Sequence, residues 1–495
     1  MKSFLFPILL CPLFSTAQLK VAEVFSDNML LQRNKPIKVW GKGIPGRSVN
    51  VLFSKEKKTT EITNDSVWIV TFPKQKATTH SQILSVTSEA EQIEFKNILI
   101  GDVWICTGQS NMEWPMVKEQ HWKDEIHSAE QSNIRLLNPP PAGRNVFGVP
   151  YTDSLISRLT TERFYDWNGW QQCDSISVRL MSAVAYYFAK KVFSETGVPI
   201  GIINLSIGGA PLETFISTEA LSQQVTFRKK VNGNWLSNDA LPIWIRERGT
   251  QNVGKNNNVP ADEQGPNHAY KPGFAFKAGI DSLRNFSVKG ILIYQGESNA
   301  EEPERVDEYK ELFKLFIKEY REVWSNKQLP IYWIQLSSIE RKYWAMFRNN
   351  QLQLLKETHN TGMAVTSDIG LKNDVHPPDK KTVGERLARW ALKKTYYKKI
   401  IPSGPLPLSA KYRNGKVIVS FQYMANGLKT SDDKPLKGFS IDGKNETKAI
   451  FGDRGIIIPV SSKPQVIYYG WSPFSNGNLV NSENLPASTF KIKVQ

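Results

Sequence analysis

From Leu19 to Lys96, short apolar runs with period-two alternation follow one another: LKVAEVF, KPIKVWGK, SVNVLF, VWIVTF and SQILSVTS. Gly, Pro, Asn and Asp separate them. Runs of this kind, rich in Val, Ile, Phe and Trp, predict half-buried strands, and their close spacing predicts a small β-sandwich over 18–96. From about Asn97 the pattern changes. ILIGDVWICTG, IGIINLSIGG, GILIY, LPIYWIQLSS and GMAVTSDIG are continuously apolar, as strands covered on both faces must be. Between them the apolar positions recur every three to four residues. Leu180, Val184, Phe188 and Val192 predict one helix, which Gly197 stops. Phe313, Phe316, Ile317, Tyr320 and Trp324 predict a second over Asp307 to about Lys327, and Thr382 to about Tyr397 reads as a closing helix. Alternating strands and helices predict an α/β domain with a parallel sheet over 97–402. The polar, Gly/Pro/Asn-rich stretch 217–272 breaks the rhythm and reads as an insertion. After Pro402 the β pattern returns in GKVIVSFQ, GIIIPV, QVIYYGW and ASTFKIKV, which predicts a C-terminal β domain over 403–495.

The two ends and the composition narrow the picture. Lys2, an apolar run from Phe4 to Phe14 and the small residues Ser15-Thr16-Ala17 have the layout of a secretory signal peptide over 1–17. The run is too short to span a bilayer, and no later run is longer. The expectation is therefore an exported protein, secreted or periplasmic, without a membrane span. Removal of residues 1–17 takes Cys11 with it and leaves Cys106 and Cys173, which do not make a disulfide framework; whether they pair is not legible. The formal net charge is +16, but the Lys and Arg residues form short scattered clusters. A nucleic-acid partner needs a basic stripe with interleaved aromatics, and there is none. The six histidines include no pair with ligand spacing, so neither a metal nor any other cofactor is expected.

In a parallel α/β sheet, ligands sit beyond the carboxyl ends of the strands. Those ends carry Gly108-Gln109-Ser110-Asn111, Ser206-Ile207-Gly208-Gly209-Ala210, Gln295-Gly296-Glu297-Ser298-Asn299 and Asp374-Val375-His376-Pro377. A serine hydroxyl is a weak nucleophile and needs an adjacent base. Imidazole suits that task near neutral pH, and a carboxylate must orient it. Of the six histidines, His376 alone follows a core strand, in a loop fixed by two prolines. Backbone N–H groups of Ser110 and Gly209, with the side-chain amide of Gln295 or Asn299, are available to meet an oxyanion. Gly-x-Ser is a weak signal alone, and Met112 stands where a nucleophile elbow would have its second glycine.

DVWICTGQSNMEWPM, INLSIGGAPLETF, VKGILIYQGESNA and NDVHPPDKKTVGERLARWAL, in this order, resemble the blocks of the sialate O-acetylesterase family, SGNH-type (GDSL-like) carbohydrate esterases. DNMLLQRNKPIKVWGKG and YYGWSPFSNGNLVNSENLPASTFK extend the resemblance to both β regions. It implies a flavodoxin-like, three-layer α/β/α SGNH-hydrolase domain flanked by the two β domains. It implies Ser110 as nucleophile, His376 as base and an oxyanion hole from Ser110, Gly208 or Gly209, and Gln295 or Asn299. Gln109, Asn111 and Glu297, in the same blocks, are expected to bind substrate. The third member of the triad is Asp374 or, as in related esterases with a Gln-Gly-Glu block, Glu297. The chain departs from the family pattern at Ile207 and Ala210, where a Trp-Gly-Gly-Thr is usual, and at Ile293, where a Trp is usual.

The expected function is hydrolysis of O-acetyl esters on a carbohydrate: sialic acid, acetylxylan or pectin. Two readings compete. One is a carbohydrate-binding protein on an esterase scaffold. The other is a glycosidase using Glu297 and Asp374, which leaves Ser110 and His376 without a task. The acetylated sugar, the oligomeric state and the role of the insertion are not legible.

Overall fold

A computed structural model describes residues 18–453 and 455–495. The segment read as a signal peptide, with Cys11, lies outside them. The centre is a mixed α/β fold built on one large mixed sheet. Its organising strand is β1, Glu91–Gly108, which runs 18 residues without a break. The first seven residues alternate between part-buried and exposed, and the last eleven are all buried. This switch in one strand matches its two environments. The N-terminal half pairs antiparallel with Thr78–Ser88, and Leu99–Gly101 pairs with Leu30–Gln32. The C-terminal half lies between two parallel neighbours, where both faces are covered. Asn97 adopts a left-handed φ of 57° where the pattern changes.

The sheet continues through β2 (Gln131–Leu137), β3 (Gln171–Cys173), β4 (Ile200–Asn204), β5 (Gly290–Tyr294), β6 (Ile331–Ile334) and β7 (Thr361–Ala364). Their spatial order is β3-β2-β4-β1-β5-β6-β7. All pairings are parallel except the edge strand β3. The chain leaves β1 toward β4 and then crosses to β5 on the other side, so the strand order reverses at β1. A crevice opens at the carboxyl ends of strands where the order reverses. β2 and β3 carry no strong apolar run, and neither is predicted from the pattern.

Five helices matter for the site. α1 is the single turn Ser110–Glu113; α2 is Ala183–Thr196, α3 Pro303–Val323, α4 Trp344–Glu357 and α5 Lys380–Lys394. α2 packs on α5, and α3 on α4. The predicted helix through Leu180 begins later than its periodicity suggests. Ser182 caps it by accepting from the Ala185 N–H, and Leu180 lies in a preceding 3₁₀ turn, largely exposed. The second predicted helix starts earlier than Asp307, because Pro303 supplies a ready-made first turn. α5 also starts earlier than Thr382, because Asp379 caps it by accepting from the Thr382 N–H at 3.0 Å.

The strands before β1 form a three-stranded sheet (Lys20–Val21, Ile37–Lys42, Val67–Phe72) and a group joined to the large sheet through β1. Strands after Leu406 form a four-stranded, a three-stranded and a two-stranded sheet. Arg348 of α4, fully buried, ties this region down. It donates to the carbonyls of Gly470, Ser472 and Pro473 and to Thr489 Oγ1. Cys106 and Cys173 are both buried free thiols, so the bridge left open by the sequence is not formed. Among the described residues no helix is long and apolar enough to cross a membrane.

Candidate active site

β1 ends at Gly108 with φ +118°, and a Cβ there would lie 2.1 Å from the Tyr294 carbonyl oxygen of β5. Only glycine fits this turn. The turn carries Ser110 to the first position of α1, with the N–H groups of Met112 and Glu113 closing on the Gln109 carbonyl. Ser110 Oγ lies 2.8 Å from Nε2 of His376. His376 Nδ1 faces Asp374 Oδ1 at 3.2 Å, and the same oxygen accepts the His376 backbone N–H at 2.9 Å. The Trp114 ring stacks on the imidazole, centroids 5.4 Å apart. Asp374 is 58% exposed and His376 30%. Burial pushes the imidazole below its ordinary range. Asp374 pulls it up, and the Lys380 cation pushes it down again. A neutral imidazole beside a serine hydroxyl can accept its proton.

Of the two candidate acids, Asp374 reaches the histidine. Glu297 does not: it is buried behind the serine turn, where Oε1 accepts from Asn111 Nδ2 at 2.5 Å. Its Oε2 is buried with no protein partner among the described residues. Burial raises the Glu297 carboxyl above the usual carboxylate range, against the Asn111 bond and the Lys380 charge. The glycosidase pairing of Glu297 with Asp374 therefore finds its two carboxylates assigned to different partners.

Asn111 is used on every polar atom. Its Nδ2 also donates to the Val375 carbonyl at 2.9 Å, and its Oδ1 accepts from Lys380 Nζ at 2.5 Å. Lys380 is fully buried. Burial pushes it down to about 7, while Glu297, Asp379 and Asp374 pull it up. The sequence reading missed Lys380. In Pro378-Asp379-Lys380-Lys381-Thr382 it looks like one of two solvated lysines opening a helix.

The amides read as oxyanion donors are tied into a second buried network. Gln295 Nε2 donates to Asn299 Oδ1 at 2.7 Å, and Gln295 Oε1 accepts from the Tyr309 hydroxyl. Asn299 Nδ2 donates to Glu213 Oε2 at 3.0 Å. Glu213 pairs at 2.8 Å with Lys230, which also reaches Glu308 at 2.6 Å and the Ala240 carbonyl at 3.0 Å. Burial raises the Glu213 carboxyl, but the Lys230 ammonium together with the Asn299 amide holds the group below the usual range. Gln109 Oε1 accepts from the Ser298 N–H at 3.2 Å. Gln109, Asn111 and Glu297 thus support the turn from behind.

Gly208-Gly209 follows β4. Gly209 has φ +75°, and a Cβ there would strike the Tyr270 hydroxyl at 2.6 Å. Tyr270 donates to the Gly208 carbonyl at 2.9 Å, and Ser298 Oγ to the Gly209 carbonyl at 2.9 Å. Glu113 lies against Gly208, where a Cβ would come within 2.8 Å of its Oε2, and burial raises its carboxyl against its ion pair with Arg144. Lys230 and Tyr270 both come from the insertion, so the polar stretch is a brace for the glycine turn and the Asn299 amide.

One trio of ligand-type side chains meets among the described residues: Glu119, His121 and Asp379, with ligand atoms within 4.8 Å of one another. Each is already engaged. Glu119 accepts from the His121 N–H and the Tyr187 hydroxyl, and Asp379 caps α5. His127, His80 and His359 stay away from Ser110. His268 is buried among aromatic rings, and burial lowers it to about 3.

Comparison with known proteins supplies the relatives. Residues 271–393 match the family model described as carbohydrate esterase, sialic acid-specific acetylesterase. The chain is 26% identical over 441 residues to the sialate O-acetylesterase of Homo sapiens, covering 82% of this chain and 76% of that one. With the rat enzyme the identity is 25% over 433 residues, covering 77% and 75%. A crystal structure of a carbohydrate acetylesterase from Xanthomonas citri superposes with a TM-score of 0.77 at 26% identity, covering 96% of this chain and all of that one.

Proposed function

We propose that the chain, which is similar to the sialate O-acetylesterases, is a carbohydrate acetylesterase, and more closely an exported serine esterase working through Ser110, His376 and Asp374. The observation that carries this reading is the unbroken line from Ser110 Oγ to His376 Nε2 and from His376 Nδ1 to Asp374.

In this reading Ser110 Oγ attacks the acetyl carbonyl carbon as its proton passes to His376 Nε2. The carbonyl π electrons move to oxygen and form an oxyanion. The Ser110 and Gly209 N–H groups meet it, together with the second amide proton of Asn299, whose first goes to Glu213. The intermediate collapses, the C–O bond to the sugar breaks, and His376 returns the proton to the leaving hydroxyl. Water, deprotonated by His376, then attacks the acetyl-enzyme, and acetate leaves with Ser110 restored. Asp374 holds the imidazole with Nε2 toward the serine. The fold is then the three-layer SGNH type with β domains at both ends.

The relatives' names favour acetylated sialic acid. The charge of +16 favours an anionic sugar, which keeps acetylated pectin in view. The deciding experiment is acetate release from O-acetylated sialic acid, acetylated pectin, acetylated xylan and a chromogenic acetate, with Ser110→Ala in parallel. We expect release from at least one, and a loss of about 10³-fold or more in the variant. Full activity in Ser110→Ala would overturn the assignment. Sugar binding without ester turnover would instead favour a binding protein. Export is tested by sequencing the N-terminus of the protein recovered from periplasm or medium. Gln18 is expected first, and Met1 would refute cleavage.

A further inference from the structure

Lys380 is in an expensive place. It is fully buried, and it opens α5, where the helix dipole disfavours a cation. Its one hydrogen-bond acceptor among the described residues is a neutral amide oxygen, Asn111 Oδ1; no carboxylate lies within ion-pair distance. Helix stability does not explain a lysine here, since Met or Leu would fill the space without the desolvation cost. Local costs that the fold does not need concentrate where a site needs them.

Its surroundings say what the site gains. Asn111 follows the serine directly in the chain, and its amide also holds the carbonyl of Val375, the residue before His376. Nζ lies 5.3 Å from the centroid of Trp114 and 5.8 Å from that of Tyr294. Trp114 is the ring stacked on His376. One ammonium therefore touches both the residue that flanks the nucleophile and the ring that backs the base. On the far side of the amide, Glu297 supplies the opposite charge. Lysine to amide to glutamate forms a buried, polarised line under the reacting pair.

We propose that Lys380 is a positioning residue: clasped between the Asn111 amide oxygen and the Trp114 ring, its ammonium keeps Ser110 Oγ and His376 Nε2 in line. The inference rests on the reading of Ser110 and His376 as nucleophile and base.

The test uses the full-length protein and three variants: Lys380→Met, Lys380→Gln and Trp114→Leu. The last keeps the buried charge and guards against a lysine variant that does not fold. For each variant kcat and KM are measured on 4-nitrophenyl acetate. The rate at which a fluorophosphonate labels Ser110 is measured too, below the melting temperature. A displacement of about an ångström at a reacting pair costs on the order of 100-fold. Lys380→Met should therefore lose about 30- to 100-fold in kcat, with KM changed less than about twofold. Labelling should slow in parallel, and Trp114→Leu should lose about tenfold in both. A merely structural lysine would move the melting temperature and leave the labelling rate of the folded protein alone. Folded variants that label and turn over at the wild-type rate overturn the inference by itself. A wild-type protein that neither hydrolyses the ester nor labels overturns the catalytic reading and this inference with it.

Discussion

Two buried lysines flank the strand-end crevice, and they are held in opposite ways. Lys230, from the insertion, is clamped between Glu213 and Glu308 with a carbonyl besides. Lys380 has a single amide oxygen and reaches the charge of Glu297 only through Asn111. Both lie under the turns that carry the site, and both are fully buried. The difference is in how completely the charges are answered. A fully answered cluster holds a shape, because removing any one member leaves buried charge without a partner. A partly answered one costs stability, and it can be tuned by small changes nearby. The glycine turn rests on the first and the Ser110–His376 pair on the second. The crevice thus has a rigid wall and a poised wall.

The largest expected effect breaks the rigid wall. Lys230→Met leaves Glu213 buried without its cation, while Glu308 keeps Arg305, and should cost about 3–5 kcal/mol of stability in denaturant melts. Glu297→Gln on the poised wall removes a buried carboxylate whose Oε2 has no protein partner, so its stability should stay within about 1 kcal/mol of wild type. Equal losses in the two variants would erase the distinction. The smaller effect sharpens it. In the proposed mechanism the base works as neutral imidazole, and burial with the nearby Lys380 cation holds His376 below its ordinary 6.5. The acid limb of kcat/KM should therefore fall below pH 6.5. Removing the cation in Lys380→Met should move that limb upward, while Lys230→Met, assayed where it is folded, should leave it in place. A limb at or above 6.5 in the wild type contradicts the electrostatics described here.

Several features of the crevice could be read along the chain because strand ends are local. Ser110, Gly208-Gly209, Gln295–Asn299 and Asp374–His376 each follow a continuously apolar run, and the parallel order β4-β1-β5-β6-β7 brings those ends to one edge. The supports were not legible. Glu213 lies just ahead of the stretch whose polarity reads as solvated loop and Lys230 within it, 17 positions on, and their pairing exists only once the insertion folds back. Lys380 sits beside another lysine, and its burial is set by Asn111, 269 positions away. Helix starts were missed for a similar reason. The Asp379 cap and Pro303 act through one local bond or dihedral that hydrophobic periodicity does not register.

β1 has a further consequence. Eighteen residues of strand make a beam of about 60 Å, with the serine turn at one end and the N-terminal pairings at the other. A beam is only as steady as its mounting. Trimming the N-terminal strands would leave half of β1 as a bare edge and free the lever that Ser110 rides on, although no residue removed would come near the chemistry. The N-terminal region is thus the anchorage of Ser110. Exchanging it for another module would mean cutting within a strand instead of between domains.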